Sequence, residues 1–559
     1  MEKIIRIFSR EYGNINQAAF LLGLFAFLSQ ILALFRDRSI AHFIGPSLEL
    51  DAYYAAFRVP DLIFISIASL ASITVIIPFL VAKMDGDKVT LKAQKYLNDI
   101  FSVFFVLMIV VAGLAFLLMP YLVSFIAPGF PHVYQEKVIL LSRIMLLSPI
   151  SMGLSNLFGT VTQLFRKFFI YSLSPIVYNI GIIIGVIFLY PICGIYGLAL
   201  GVAIGSLMHC AVQVIASHSS GFTPRLSIDV DWGDVKQAAI TSLPRTLGLA
   251  FNNIALICII AFASFLPGGS ISIFNFSFNL QSVPLTIIGI SYSVAAFPTL
   301  ARAFSGGKSD EFKKTLQSTA RAIVFWSLPV IFLFIVVRAQ IVRVILGSGS
   351  FSWEHTRLVA ASLALFSLSV VAQGMIALLS RAYYATGNTR RPLTVNLACS
   401  VLIVILSYVF LHVFEAVPFF RHFIESILKV EDIPGTAVLM LPLAYSVGTI
   451  LNAILHWYFV RRDFMKGESF ITKTFFQSLG ASFFLGLVGY LSLNILSPIL
   501  GTTTFWGVFL QGFISGILGI ISATFILCLL GSEELQDAIK ALKTKFWRAK
   551  TIVPPQEEL

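Results

Sequence analysis

A charged stretch lies between two long apolar segments near the start of the 559-residue chain. It reads ALFRDRSIAHFIGPSLELDAYYAAFRVPD and runs from Ala33 to Asp61. An arginine at the centre of a bilayer costs about 2.5–3.5 kcal/mol on insertion scales, so it persists where it lines water, pairs or binds an anion. Its planar guanidinium also suits phosphate, because it can hydrogen-bond two phosphate oxygens at once. The stretch therefore raises the possibility of an anion site inside a membrane.

Two arginines of this stretch are placed to form such a site. Arg36 lies at the end of the first apolar segment and Arg58 near the start of the second, so both can face a polar chamber. In the alternative interpretation, Arg36, Arg38 and Arg58 extend to the membrane surface and pair with neighbouring carboxylates. For Arg38 we expect this second role.

The composition is that of an integral membrane protein. Hydrophobic residues make up 57% of the chain, charged residues 12%, and the mean hydropathy is +0.89, which leaves too little polar surface for a water-soluble globule. The first apolar run is followed by charge instead of a cleavage site, so we expect no cleaved signal peptide. The five cysteines lie apart within apolar runs, without CxxC or a histidine at ligand spacing. They are expected to be unpaired, buried thiols.

The apolar segments predict an all-α polytopic membrane protein. At roughly 20 residues per span, the chain has about fourteen transmembrane helices. Short alternation of the kind found in membrane barrels is absent. The predicted helix centres lie near residues 26, 70, 112, 152, 180, 204, 254, 288, 332, 368, 402, 448, 484 and 517.

The distribution of Lys and Arg predicts the orientation. If the N-terminus is cytoplasmic, 28 of the 39 basic residues fall in segments on that side, which supports an even number of spans with both termini cytoplasmic. The net charge of +12 then reflects topology and contact with anionic lipid, and nucleic acid is not expected as a partner.

Two short signatures recur at nearly the same offset. IPFLVAKMDGD, with Pro78, resembles FPTLARAFSGG, with Pro298, at an offset of 220; SPIVYNI, with Pro175, resembles RPLTVNL, with Pro392, at 217. An offset containing six spans returns the chain to the same side of the membrane, so the repeats are parallel. The predicted organisation is two six-helix lobes with a cavity between them, a C-terminal helix pair and a tail, at residues 1–230, 231–466, 467–531 and 532–559.

Several stretches resemble the MurJ (MviN) family of lipid II flippases, within the multidrug/oligosaccharidyl-lipid/polysaccharide (MOP) exporter superfamily. They are SQILALFRDRSIAHFIG, LDAYYAAFRVPD, APGF from Ala127, the Pro175 and Asn179 pair, ASFLPGGSIS from Ala263, the segment from Pro284 to Pro298, and RAYYATGNTRRP from Arg381. This resemblance implies fourteen helices, a bacterial inner-membrane location, a monomer, and export of the undecaprenyl-diphosphate-linked peptidoglycan precursor. Membrane lipids and a lipid-linked glycan are the implied partners.

The resemblance also implies roles for individual residues. Arg36 stands at a cavity-lining position of the family, and Asp51 matches a family carboxylate that would orient Arg36 or shape a gate. Family members usually have Arg at the positions of Gln30, Phe64 and Asn279, and Glu at those of Ser69 and Ser282, so much of the usual charged set is absent here. The predicted substrate-binding residues are Arg36, Arg58, Asp51, Gln30, Asn279 and Arg245.

A coupling ion, Na⁺ or H⁺, is the only cofactor considered. Asn252, Asn396 and Ser400 form a candidate cation site, and the resemblance places a sodium site near there in some family members. Asn396 and Ser400 lie one helical turn apart. No carboxylate joins them, however, and interhelical hydrogen bonding is the alternative role. The chain has no Walker A sequence, so ATP hydrolysis is not expected.

Three other function classes compete with transport of lipid II. A membrane transferase would need clustered loop carboxylates or a general base, and the one tight acidic group, Asp229, Asp231 and Asp234, is better explained as a solvated linker. A flippase for another lipid-linked glycan and a non-transporting scaffold of the same fold remain open, because most of the cavity charges are missing.

Overall fold

The computed structural model describes residues 15–68, 76, 79–80, 82–84, 90–165, 167–218, 224–465, 471–501 and 504–547. The side chains of 15–20, 68, 241, 244–245, 249 and 541–547 lie outside this description. Over the described residues, all regular secondary structure is helical. The helices are α1 (Ile15–Phe43), α2 (Leu48–Ala56), α3 (Arg58–Ala68), α4 (Leu91–Ile126), α5 (His132–Met145), α6 (Leu147–Leu164), α7 (Phe168–Ile184), α8 (Ile195–His218), α9 (Trp232–Ala263), α10 (Ser270–Pro284), α11 (Ser291–Ser305), α12 (Ser309–Val336), α13 (Arg338–Leu346), α14 (Trp353–Ser367), α15 (Val370–Ala385), α16 (Arg390–Ala416), α17 (Pro418–Leu428), α18 (Met440–Phe464), α19 (Thr472–Leu500), α20 (Phe505–Leu529) and α21 (Glu533–Trp547).

These helices confirm the predicted fold class. Within the described residues, 11 helical stretches are long and apolar enough to cross a membrane, and α14 with α15, bent by 41° at their junction, can supply a twelfth. The eleven stretches contain eleven of the predicted helix centres, and the twelfth, residue 368, lies at the junction of α14 and α15. The centre at residue 26 lies inside α1, and the one at residue 70 lies outside the described residues. The predicted count of fourteen is compatible with this set.

Two spans are continued by π-helical turns. The turn Gly185–Leu189 follows α7, and the turn Leu285–Ile290 joins α10 to α11. Because a π-helical turn carries one more residue than an α-helical one, it lets the two parts of a long helix present different faces. The second turn comes directly after α10, the helix that carries the predicted binding residue Asn279.

Small residues bring α7 and α8 into direct backbone contact. A Cβ built on Gly181 would lie 2.2 Å from the Cα of Gly205, and one on Gly201 would lie 2.6 Å from the Cα of Gly185. Glycines four residues apart on facing helices are a common means of close packing in membranes, where backbones must approach to gain contact. This pair of helices positions Asn179, which takes part in the site described below.

Gly201→Ala is therefore expected to destabilise the protein. The added methyl group meets backbone atoms that cannot move aside, and overpacking of this kind costs about 1–3 kcal/mol. The measurement is the midpoint of thermal unfolding of the purified protein in detergent, which should fall. Gly480→Ala in α19 is the matched control, because a Cβ built on Gly480 would have no atom within 4 Å; an equal fall in both variants would contradict this packing.

The chain divides into two compact units. One comprises residues 1–283, 342–366 and 387–452, and the other 284–341, 367–386 and 453–559. Buried aromatic rings stabilise the first, where Phe276 packs edge-on against both Tyr54 and Phe351. In the second, Leu316, Leu378 and Tyr383 belong to one buried cluster. The predicted lobes, divided near residue 230, stay a prediction.

The cysteines depart in part from expectation. All five are free thiols, as predicted, but Cys193 and Cys528 are exposed and only Cys399 is fully buried. On a membrane protein an exposed thiol at the outer surface of a span can meet lipid, so apolar surroundings in the sequence do not require burial within the protein.

Candidate functional site

The charged stretch folds as the end of α1, a tight turn, the whole of α2 and the start of α3. Gly45 has φ +67° in this turn, and a Cβ there would lie 2.6 Å from the carbonyl oxygen of Ser350, so both conformation and space favour glycine. Ser47 then caps α2, because its Oγ accepts a hydrogen bond from the Leu50 amide at 3.3 Å. The turn brings the charged residues of α1, α2 and α3 close together in space.

Arg36 forms an ion pair with its neighbour in sequence. Its Nε and Nη2 donate to Oδ1 of Asp37 at 3.0 and 2.8 Å, and its Nη1 donates to Oδ1 of Asn179 on α7 at 3.1 Å. The side chain of Asp37 is 5% exposed and that of Arg36 is 21% exposed. Asn179 is itself held by a hydrogen bond from its Nδ2 to the carbonyl of Pro175 at 3.0 Å. The pair is thus fixed between two helices and still partly open to its surroundings.

A row of polar side chains on α10 forms hydrogen bonds with charged residues of the stretch. Asn279 Nδ2 donates to Oδ2 of Asp37 at 3.0 Å, while Asn275 and Ser272 bind Arg58 and Asp51. The three residues are spaced by three and four positions, which places them on one face of a helix. We call Ser272, Asn275 and Asn279 the α10 polar row. Asn279 was among the predicted binding residues, whereas Ser272 and Asn275 were not, although their spacing is visible in SISIFNFSFN.

Asp51 binds the start of α10. Its Oδ2 accepts from the Gly269 amide at 2.7 Å, and its Oδ1 accepts from the amide and hydroxyl of Ser272 at 2.7 and 2.5 Å. A carboxylate is favourable there because the first N–H groups of a helix have no partner within it and carry partial positive charge. In this structure Asp51 binds α10, and Asp37 holds the Arg36 guanidinium. The expectation that Asp51 orients Arg36 or shapes a gate stays a prediction.

Arg58 lies at the start of α3 and contacts the middle of the α10 polar row. Its Nη2 donates to Oδ1 of Asn275 at 2.7 Å, and Asn275 Nδ2 donates to the carbonyl of Ile271 at 2.8 Å. Its Nε is buried and has no hydrogen-bond partner among the described residues. Arg58 is thus bound to α10 in this structure, and the alternative interpretation, in which it pairs with a neighbouring carboxylate at the membrane surface, stays open.

Arg38 lies two residues after Arg36 on α1, and backbone carbonyls bind its side chain. Its Nη1 donates to the carbonyls of Val344 and Ile345 at 2.7 and 3.1 Å. These are unsatisfied carbonyls at the end of α13, where a cation is favourable. Arg38 thus has a helix-capping role in this structure, and the interfacial pairing expected of it stays a prediction.

The Arg36 guanidinium keeps donors that the cluster does not use. A guanidinium has five N–H groups, and three of those of Arg36 donate to Asp37 and Asn179. The other two, one on each terminal nitrogen, have no partner among the described residues. Unused N–H groups on a partly exposed guanidinium can donate to the oxygens of a phosphate or carboxylate ligand.

The remaining predicted binding residues contribute less. Gln30 is half-buried on α1, before Arg36, and Phe64 is half-buried on α3. Ser282 donates to the carbonyl of Asn279 at 2.7 Å, so it is engaged within its own helix. The side chain of Arg245 and the whole of Ser69 lie outside the described residues. Arg36 is accordingly the described residue best placed to bind an anion.

The candidate cation site is not tested by the geometry. Asn396 Oδ1 accepts a hydrogen bond from Asn452 Nδ2 at 3.1 Å, Ser400 is buried, and Asn252 is exposed. The first contact is the interhelical bonding considered as the alternative. Among the described residues, no group of three or more His, Cys, Asp or Glu side chains is arranged to hold a metal ion. A site built from Asn252, Asn396 and Ser400 stays a prediction.

The sequence profile of the family described as "Lipid II flippase MurJ" matches residues 40–510. This range includes the α10 polar row, Asp51 and Arg58, and it begins just after Arg36 and Asp37. The match covers well over half of the chain.

Individual relatives and solved structures agree with this match. A probable lipid II flippase MurJ of Rickettsia prowazekii is 26% identical over 385 residues, which are 68% of this chain and 75% of the relative. The lipid II flippase MurJ of Burkholderia cenocepacia is 23% identical and covers 86% of this chain and 91% of its own. A structure titled "Lipid II flippase MurJ, inward closed conformation" aligns with a TM-score of 0.70 and 19% identity, over 93% of this chain and 100% of that one. An inward-facing multidrug resistance MATE family transporter of the MOP superfamily aligns with a TM-score of 0.61 and 14% identity, over 78% of this chain and 95% of that one.

Proposed function

Because the chain belongs to the MurJ family of lipid II flippases, we propose that it moves lipid II, the polyprenyl-diphosphate-linked peptidoglycan precursor, across the bacterial inner membrane by alternating access. The single observation that carries this proposal is the Arg36 guanidinium, held in a helix of a multi-pass membrane protein with two N–H groups unused among the described residues. The family consists of transporters, so the membrane-transferase alternative is set aside.

The charge of the diphosphate explains why such a residue is kept. A diphosphate cannot enter hydrocarbon without partners, since transfer of an unpaired ion from water to an apolar medium costs far more than a protein can supply. Arg36 offers two unused donors of a permanently charged group, and Asn179 and Asp37 fix its orientation. The ion pair of Arg36 with Asp37 has no net charge. A bound diphosphate would therefore be stabilised by oriented hydrogen bonds from Arg36, and the guanidinium would move partly away from Asp37 to form them.

The α10 polar row supports a closing element for alternating access. Asp51, Arg58 and Asp37 each bind one of its members. We infer that these three contacts form together when this side of the site is closed and break together when it opens. Polar contacts suit such a device, because water can replace each of them on opening at little net free energy.

The predicted setting completes the proposal. The chain would lie in the inner membrane with both termini in the cytoplasm, as the distribution of Lys and Arg supports, and would act as a monomer on one lipid-linked glycan at a time. A Na⁺ or H⁺ gradient would supply energy, and Asn252, Asn396 and Ser400 remain the candidate ion ligands. The two lobes predicted from the repeat would enclose the chamber.

Reconstitution tests the function. Fluorescently labelled lipid II is introduced into vesicles with and without the protein, and an impermeant reagent bleaches the label in the outer leaflet. Vesicles that contain the protein should expose the inner-leaflet label to the reagent much faster than protein-free vesicles. A labelled lipid-linked glycan of different sugar composition is the control substrate. If the protein moves that glycolipid between leaflets and does not move lipid II, its cargo is another glycolipid.

A further inference from the structure

The short helix α17 carries an exposed apolar stripe. Phe419, Phe423 and Ile427 are 81%, 52% and 59% exposed, and their spacing of four residues places them along one side of the helix. The rings of Phe419 and Phe423 stack with centroids 6.5 Å apart. Three large apolar side chains in water would each forgo about 1.5–3 kcal/mol of burial free energy. The stripe therefore requires an apolar environment.

The opposite side of α17 is fixed to the protein. Leu428 and Glu425 are buried, and Glu425 Oε1 accepts from Oγ1 of Thr436 at 2.6 Å and from Nε of Arg421 at 3.0 Å. The contact with Thr436 and the burial of Leu428 and Glu425 set the rotation of the helix, so the stripe cannot turn inward.

An ion pair fixes the segment after α17. Arg357 on α14 donates from Nη1 and Nη2 to the two carboxylate oxygens of Asp432, at 2.8 and 2.6 Å, and also to the carbonyl of Lys429. This hydrogen bonding holds the pKa of the Asp432 carboxyl below its usual value. Lys429 ends the helix in the left-handed conformation, with φ 61°. The C-terminal end of α17 is thus held in place, which distinguishes it from a loosely attached loop.

The chain path places α17 at the edge of the membrane. The span α16 ends at Ala416, Val417 alone separates it from α17, and the next span begins at Thr436. On α16, Val401 and Ile405 are exposed, as expected for the lipid-facing side of a span. The stripe on α17 therefore begins within three residues of a helix that crosses the hydrocarbon.

Polar residues occupy other parts of the helix surface: His422 lies beside the stripe, and Arg421 lies on the opposite side, next to Glu425. The side chain of His422 is 77% exposed and that of Arg421 is 55% exposed. An apolar half beside a polar, partly cationic half is the pattern of a helix that lies in the plane of a membrane surface, with its apolar side about 5–10 Å below the headgroups.

We propose that α17 is an interfacial helix, whose Phe419, Phe423 and Ile427 insert between the headgroups and acyl chains of the leaflet at the α16–α18 end of the protein. Lipid is the occupant, because the stripe continues directly from a transmembrane span and lies at the depth where that span leaves the hydrocarbon. The helix anchors the connection between α16 and α18 at a fixed depth. This inference does not depend on which cargo the protein moves.

Nitroxide labels test the depth of the helix. The full chain, with its native cysteines replaced by serine, is labelled at Phe423→Cys or Ile427→Cys and placed in lipid nanodiscs. His422→Cys is the matched control, because it is exposed and lies about 100° around the same helix from Phe423. The measurement is the collision rate of each label with oxygen, which concentrates in lipid, and with a water-soluble nickel chelate.

The expected result is a several-fold preference for oxygen over nickel at positions 423 and 427, and the reverse preference at 422. Nickel access at 423 equal to that at 422 would show that the stripe faces water. Exclusion of both reagents from 423 and 427 would show that another protein, or a second copy of this chain, covers it. Either result would overturn the proposal, and the thermal midpoint of each labelled protein shows whether it has kept its fold.

Discussion

Replacement of Arg36 by alanine is expected to abolish growth of a bacterium that depends on this chain after its own lipid II flippase is depleted. Hydrogen bonds to charged groups contribute about 1.5–3 kcal/mol each, so loss of even one with the diphosphate would weaken binding roughly 10- to 150-fold. The measurement is growth on depletion, alongside the amount of protein in the membrane. Arg36→Lys keeps the charge but loses the planar fork, so we expect it to support slow growth.

Two further variants separate binding from folding. Arg36→Ala leaves the buried Asp37 carboxylate without its cation, which can itself destabilise the protein by several kcal/mol. The double variant Arg36→Ala, Asp37→Asn removes both charges, so the protein level should recover while growth does not. Arg302→Ala, which removes an exposed arginine from α11, should grow normally. Growth of the double variant would exclude Arg36 as a substrate ligand.

The second large effect is expected at Asp51. In Asp51→Asn, one of the carboxylate oxygens that accept from Gly269 and Ser272 becomes an NH₂ group, so a donor faces a buried donor. An unsatisfied group of this kind costs about 1–3 kcal/mol, which corresponds to roughly 5- to 150-fold faster local opening. Hydrogen exchange followed by mass spectrometry should show this acceleration in the amides of residues 269–275.

Glu49→Gln is the control for this variant. Glu49 lies on the same helix, is half-exposed, and has Lys137 at 3.8 Å, a contact that contributes little. Its exchange at residues 269–275 should match that of the unmutated chain. Unchanged exchange in Asp51→Asn would mean that the carboxylate does not hold the start of α10, and the proposed closing element would lose its best-supported contact.

The sequence predicted what depends on local composition. Long apolar segments determine that the protein spans the membrane as helices, because a backbone in hydrocarbon must satisfy its own hydrogen bonds. The importance of Arg36 was also predictable, since a charge beside an apolar span needs a partner. Its actual partner, Asp37, is the next residue in the sequence, but adjacent helical residues point about 100° apart, so only the long Arg36 side chain makes the pair possible.

The contacts between distant segments were not predictable in the same way. Asp51 and Ser272 are 221 residues apart, and Arg58 and Asn275 are 217 apart; their pairing depends on how the helices pack. The spacing of Ser272, Asn275 and Asn279 indicated a polar helix face, but not what binds it. Similarly, the segment from Glu415 to Pro434 contains enough polar residues to resemble a loop. Only the spacing of four between Phe419, Phe423 and Ile427 indicates that part of it is a helix.

The most direct test of the central claim is a side-by-side comparison, in vesicles, of the unmutated chain and the double variant Arg36→Ala, Asp37→Asn with labelled lipid II. If Arg36 carries the diphosphate, the unmutated chain will move the label between leaflets and the variant will leave the rate near that of protein-free vesicles. Equal rates with both proteins, each correctly folded and inserted, would contradict the account.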